Sequence, residues 1–450
     1  MHSDWRNEAV NRREFLKAAA IAGVSGASAG VRAKTWRDFE VADGQYSLQR
    51  LSAEPVLAAV SETSVAVSWA VGCLASGGVE IADNEQMRNS RFVKAGGMPL
   101  AQLSRDLLQV RIYGLKSATR YYYRTVTQEI KSSNHLLYAS MEKGERHVGK
   151  VYSFVTSGAA GESRFGVLAD THAQWDSFSF VAKRFREMDF PVGIWAGDAL
   201  NCTEDRRTAV EAFLYPNVET KDYASRTPVL FLPGNHEYAG VYARHIEEVM
   251  PCRLPEERKG EYSQLKWNFA VRQGEIALLG LDTGDGLHDD DRRLCGLGSF
   301  SSYRHLQTKW LKEALSREDI ASAPYAVAFC HIPLYNSGPN KNGCEKPLER
   351  GGASWIRECQ EQWGPLLDDA GVQLVVCGHE HEVRWDEDTG YRWKQVVGGG
   401  PELGYGAGYK KKDSACPTII EGVVENGHLQ VRVHDAWRGG IVSERRFKAR

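Results

Sequence analysis

Five short clusters place carboxylate, imidazole and amide side chains along this chain. They are Asp170-Thr171-His172, Gly197-Asp198, Gly234-Asn235-His236-Glu237, the lone His331, and Gly378-His379-Glu380-His381. Imidazole and carboxylate together suit Fe, Zn or Mn, whereas a calcium site would use oxygens alone. Singly, each cluster has an ordinary explanation. Asp-x-His is usually a turn or a cap, Gly-Asn-His can be a left-handed turn, and Gly-His-x-His can be two half-exposed histidines. Taken together they point to one shared site, because of the elements that precede them.

Each cluster follows a strand-length apolar run: Phe165–Ala169, Val192–Ala196, Val229–Leu232, Tyr325–Phe329 and Val372–Val376. A further run, Ile276–Leu281, carries no such cluster. Helix-period stretches lie between the runs, and Tyr303, Leu306, Trp310, Ala314 and Leu315 share one helical face. Strands alternating with helices predict an α/β architecture, whose ligand sites form outside the carboxyl ends of the strands. Glycine before Asp198, Asn235 and His379 lets the backbone turn sharply there.

The preceding hundred residues read differently. In Ser64–Val71 the large apolar residues fall at 65, 67, 69 and 71, the period of a half-buried strand. Leu108–Ile112, Tyr121–Val126 and Val151–Val155 add three more strands, with no helical stretch between them. A β-sandwich over residues 51–157 is expected, resembling a fibronectin type III domain. Ser157–Gly161 reads as a linker into a catalytic domain over residues 158–450.

The ordered set Asp-x-His, Gly-Asp, Gly-Asn-His-Glu, His and Gly-His-x-His resembles the calcineurin-like metallophosphoesterase superfamily. With the front sandwich, the layout is similar to purple acid phosphatases and their bacterial relatives over roughly residues 51–435. The fold this implies is a four-layer α/β sandwich, two mixed sheets flanked by helices, preceded by the immunoglobulin-like all-β module. The resemblance implies two metal ions per chain, Fe, Zn or Mn. Asp170, His172 and His381 would hold the first, Asn235, His331 and His379 the second, and Asp198 would bridge both. A bridging hydroxide between two such ions can form near neutral pH and attack phosphorus in line. His236 is expected to protonate the leaving alkoxide. Tyr335 and Asn336, with Asn235 and His236, are expected around the substrate, and Gly398 through Lys412 as a second rim. Purple enzymes are expected to have Gly and Tyr where this chain has His172 and Asn201, so a colourless or weakly coloured enzyme is expected. The activity implied is hydrolysis of small phosphate monoesters. Two other readings stay open: a phosphodiesterase, including nucleotide or cyclic-nucleotide cleavage at the same site, and a cell-surface binding protein with a retired metal site.

With Lys+Arg 56 against Asp+Glu 58, no basic excess suggests a nucleic-acid surface. Residues 1–33 read as an export signal: Asn11-Arg12-Arg13-Glu14-Phe15-Leu16-Lys17 precedes a weakly apolar Ala/Gly stretch and the small-residue site Val31-Arg32-Ala33. The paired arginine resembles a twin-arginine signal, implying use of that export machinery and a periplasmic or extracellular destination. Residues 34–50 would be a linker. The nine cysteines form no paired CxxC zinc site, and Cys330 and Cys377 read as buried thiols. The number of subunits is not legible.

Overall fold

The computed structural model describes residues 51–132, 141–257, 260–335, 354–401 and 416–450. Residues 1–50, where the export signal and a linker are expected, Asn336 and Lys410–Lys412 lie outside the described residues. The front region holds β1 (Val56–Ala58), β2 (Ser64–Ala70), β3 (Ala75–Ala82), β4 (Arg91–Lys94), β5 (Leu107–Tyr113), β6 (Arg120–Ser132), β7 (Met141–Val148) and β8 (Tyr152–Val155). The next stretch holds β9 (Arg164–Leu168), β10 (Gly193–Ala196), β11 (Val229–Leu232), β12 (Phe269–Gln273), β13 (Ile276–Gly280), β14 (Tyr325–Phe329), β15 (Leu374–Cys377), β16 (Arg384–Asp386) and β17 (Lys394–Val397). Three last strands follow, β18 (Thr418–Glu425), β19 (His428–Asp435) and β20 (Ile441–Phe447). The helices are α1 (Trp175–Met188), α2 (Arg206–Phe213), α3 (Phe300–Ser316), α4 (Glu318–Ala321) and α5 (Ser354–Asp369).

Two mixed sheets with helices make up the stretch expected to form the α/β domain. The six-stranded sheet runs β12-β13-β14-β15-β17-β16, and its period-two alternation feeds two separate cores. Leu278, Val327, Phe329, Leu374 and Val376 face the other sheet, where the Phe329 ring meets Phe165 edge-on at 5.3 Å. Ala277, Leu279, Ala328, Val375 and Cys377 face Trp310 and Leu311 of α3 and Trp363 and Leu367 of α5. Both faces are therefore covered, as these mainly parallel strands require. In the other sheet, Trp195 of β10 packs on Phe178 of α1 and Phe213 of α2, at 5.6 Å and 5.5 Å. Cys330 and Cys377 are both buried, with their sulfurs 3.5 Å apart.

That other sheet has nine strands, in the order β20-β19-β18-β9-β10-β11-β1-β2-β5. Its far flank comes from the front region. β1 pairs in parallel with β11, Ala58 opposite Val229, and antiparallel with β2. Leu57 N–H donates to Ala224 O and Ala59 N–H to Val229 O, at 3.0 Å and 2.9 Å. The second front sheet, β4-β3-β6-β7 with β8 on β6, packs against β2 and β5. There the indole of Trp69 donates to Thr127 Oγ1 at 2.9 Å. The expected linker is itself tied down, Gly158 N–H donating to Arg272 O at 2.8 Å beside β12. Among the described residues, no helix is long and apolar enough to cross a membrane.

Candidate metal centre

Strands β9, β10 and β11 run parallel in one sheet, and β14 and β15 run parallel in the other. Their carboxyl ends bring the predicted clusters together. Asp170, His172, Asp198 and His381 form one group of converging ligand atoms, and Asp198, His331 and His379 form another. Asp198 belongs to both. The Nε2 atoms of His172 and His381 lie 3.0 Å apart, and His172 Nε2 is 3.5 Å from Asp198 Oδ2. His381 Nε2 stands 3.4 Å from Asp170 Oδ1, and His331 Nε2 stands 3.2 Å from Asp198 Oδ2. Asn235 joins the second group through its side-chain oxygen, 3.0 Å from His379 Nδ1.

The backbone is bent hard to achieve this. Asp170, His172, Asp198, His379 and His381 all have positive φ, between 48° and 75°. Left-handed backbone at a residue with a side chain costs on the order of 1–3 kcal/mol, and such residues gather at functional sites. Two glycines make room. Gly197 has φ +87, and a side chain there would come within 2.6 Å of Gly234 N. At Gly234 an added Cβ would overlap Asp198 Oδ1 and reach within 2.7 Å of His331 Nε2.

Residues outside the predicted set hold the loops in place. Asn201 grips His172 at both ends, its Oδ1 at 2.9 Å from Nδ1 and its Nδ2 donating to the His172 carbonyl at 3.0 Å. Glu237, 1% exposed, accepts three backbone N–H groups: Asp198 at 2.8 Å, Leu200 at 3.1 Å and Gly234 at 2.7 Å. Burial and the neighbouring Asp198 push its pKa up to about 8, against the pull of those donors. Its place as the last residue of Gly-Asn-His-Glu was the only signal for it. The Asp170 carboxylate accepts the His379 N–H at 2.9 Å, and Ala196 O sits 2.7 Å from His331 Nδ1.

The donor set fits cations. His331 Nε2 is buried without a hydrogen-bond partner. Ligand atoms about 3.0–3.5 Å apart are what two bonds of about 2.0–2.2 Å to one first-row ion produce. The electrostatics also ask for positive charge beside two buried carboxylates. Burial alone would lower the pKa of His331, yet Asp198 lifts it to about 10. Burial would raise Asp198, yet His331, His172 and His236 hold it below the usual carboxylate range. Burial lowers His172, and burial with His331 lowers His379 to about 4. Both therefore keep the lone pair that a metal ligand needs.

His236 sits beside this centre, its Nε2 4.0 Å from Asp198 Oδ2 and its ring 38% exposed. Its Nδ1 is 2.8 Å from Asn201 O. Tyr335 is half-buried against the outer core, its backbone tied on both sides to the Gln395 amide at 3.1 Å and 2.7 Å.

The calcineurin-like phosphoesterase family model matches residues 163–383, the stretch that contains all seven converging residues. The chain carries a calcineurin-like phosphoesterase domain. Probable purple acid phosphatase 20 of Arabidopsis thaliana is 29% identical over 164 residues, covering 35% of this chain and 32% of that protein. Purple acid phosphatase 22 of the same plant is 22% identical over 352 residues, 73% of this chain and 67% of that protein. Several of the matches thus span only about a third of the curated relative's length. A purple acid phosphatase from yellow lupin (Lupinus luteus) seeds superposes with a TM-score of 0.59 at 15% identity, over 88% of this chain and 74% of that one. The phosphoesterase domain and the front strands therefore share the fold of that enzyme.

Proposed function

We propose that this protein is an exported phosphomonoesterase working through two metal ions. The observation that carries the reading is the pair of ligand groups sharing Asp198, with His236 beside them. Asp170, His172 and His381 would hold one ion and Asn235, His331 and His379 the other, with Asp198 between. When bound, two such cations supply Lewis-acid stabilisation of the phosphate oxygens and an acidified water as nucleophile. Fe, Zn and Mn all match the donors.

The protein's own groups do the rest. Asn201 O fixes the proton of His236 on Nδ1, so a protonated ring has its second proton on Nε2, ready for the leaving alkoxide. Asn235 is neutral, which limits negative charge facing a dianionic ester. Glu237 and Asn201 hold the loops rigid before substrate arrives. Export rests on the paired arginine and apolar stretch of residues 1–33 and would deliver the chain folded, with metal loaded beforehand.

The test combines metal content with turnover of nitrophenyl phosphate and bis-nitrophenyl phosphate. Wild type is expected to hold about two metal equivalents and to favour the monoester, and Asp198→Ala to lose both metal and activity. His236→Ala should keep its metal while kcat falls about 10²–10⁴-fold. Preference for the diester would make the protein a phosphodiesterase. A wild type that takes up no metal and stays inactive with Fe, Zn and Mn sinks the enzyme reading and favours the binding-protein alternative.

A further inference from the structure

A cavity of about 720 Å³ opens beside the loop that carries His236. This is within the roughly 300–1,000 Å³ of sites that enclose small organic ligands. Its wall begins at Tyr238, two residues beyond His236 on the same short 3₁₀ turn. Asp285, also on the wall, lies within electrostatic reach of His236. Four aromatic side chains line it, Tyr238, Trp267, Phe300 and Tyr303, with Tyr238 edge-on to Phe300 at 5.1 Å. Val241 and Leu297, also on its wall, are 83% and 68% exposed, so part of the apolar lining is open to solvent.

Two of the four charged side chains on the wall are committed elsewhere. Arg293 is paired with Asp291 at 2.8 Å and Lys266 with Glu247 at 3.3 Å, while Arg244 stands at the exposed rim. The surface offered inside is aromatic and aliphatic. A monoester whose phosphorus sits at the metal centre must carry its organic half away past the proton donor, and this cavity lies on the His236 side. We infer that the cavity seats the apolar half of the phosphate ester, an aryl or arylalkyl group, and so selects which monoesters the site takes. The inference rests on the phosphoesterase reading given above.

Propyl phosphate and 3-phenylpropyl phosphate test it, because both release a primary alkoxide of nearly equal basicity and differ only in the apolar ring. One methylene in an apolar pocket is worth about 10–200-fold. The metal-loaded wild type is therefore expected to favour the phenyl ester at least ~10-fold in kcat/KM. Ala243→Trp fills the cavity and Leu297→Asp charges its exposed rim, and each should bring that ratio toward one. Calorimetric titration with 3-phenylpropan-1-ol gives a readout independent of turnover: wild type binds it saturably, and Ala243→Trp binds it at least ~10-fold more weakly. A ratio near one with both esters hydrolysed, or alcohol binding that neither variant weakens, overturns the assignment. Hydrolysis of neither ester overturns the phosphomonoesterase reading instead, and the alcohol titration then decides the cavity alone.

Discussion

At the scale of single residues, His172 and Asn201 occupy the positions where a purple enzyme is expected to have Gly and Tyr. Asn201 spends its amide on the ring nitrogen and carbonyl of His172, so an imidazole stands among the converging groups and a carboxamide orients it. Neither group can serve as a phenolate ligand to ferric iron. Iron-loaded protein is accordingly expected to show no strong visible charge-transfer band in its absorption spectrum, and an intense purple band would contradict this arrangement of the centre. Both departures were readable from the residue types alone. The left-handed backbone at Asp170, His172, Asp198, His379 and His381 was not, because nothing in those residue types demands positive φ. Tertiary structure imposes it, and the surrounding sheets must supply the energy.

At the scale of elements, the loops after β9, β10, β11, β14 and β15 do the positioning, and their tolerance is narrow. Gly234→Ala places a methyl group against Asp198 and His331. Overpacking of this kind costs about 1–3 kcal/mol, and here the strain falls on two of the converging residues. The variant is expected to melt earlier and to bind less than the wild-type complement of metal, measured by calorimetry and metal analysis; unchanged melting and metal content would show that the loop can yield. The strands that lead into these loops were legible as short, mainly apolar runs, and their observed limits lie within two residues of the expected ones. β2, β5, β6 and β8 were legible too, from alternation, although β6 continues to Ser132. β3 was hidden by Gly77 and Gly78, and the mostly exposed β4 has no apolar face to reveal it. β1 is three buried residues after a proline, too short to carry a period, and its partner β11 lies 171 positions away by the pairing of Ala58 with Val229. The apolar cavity beside His236 was also invisible, since its walls come from segments separated by some sixty residues, from Tyr238 to Tyr303.

At the scale of the whole molecule, the nine-stranded sheet ties distant parts of the chain together, and one of its fasteners is ionic. Glu421 on β18 receives Arg164 of β9 at 2.8 Å and His434 of β19 at 3.0 Å. Burial alone would raise its pKa, but the His434 and Arg164 hydrogen bonds outweigh it and lower the value to about 2. A depressed carboxylate stabilises the fold above its unfolded pKa and loses that contribution as pH falls. Denaturation midpoints should therefore drop between about pH 4.5 and pH 2, and Glu421→Gln should lose that part of the dependence; an identical acid profile in the variant would remove Glu421 from the account. The same sheet alters what the stretch matched by the family model can be on its own. Of its nine strands, only β9, β10 and β11 fall within residues 163–383. Cut at those limits, the piece would keep every converging ligand yet present a three-stranded ribbon with unpaired backbone along both flanks, a template for strand exchange between neighbouring chains. The strands before and after those limits are thus the edge protection of β9, β10 and β11, and the segment that gathers the converging residues would depend on them to keep its flanks paired.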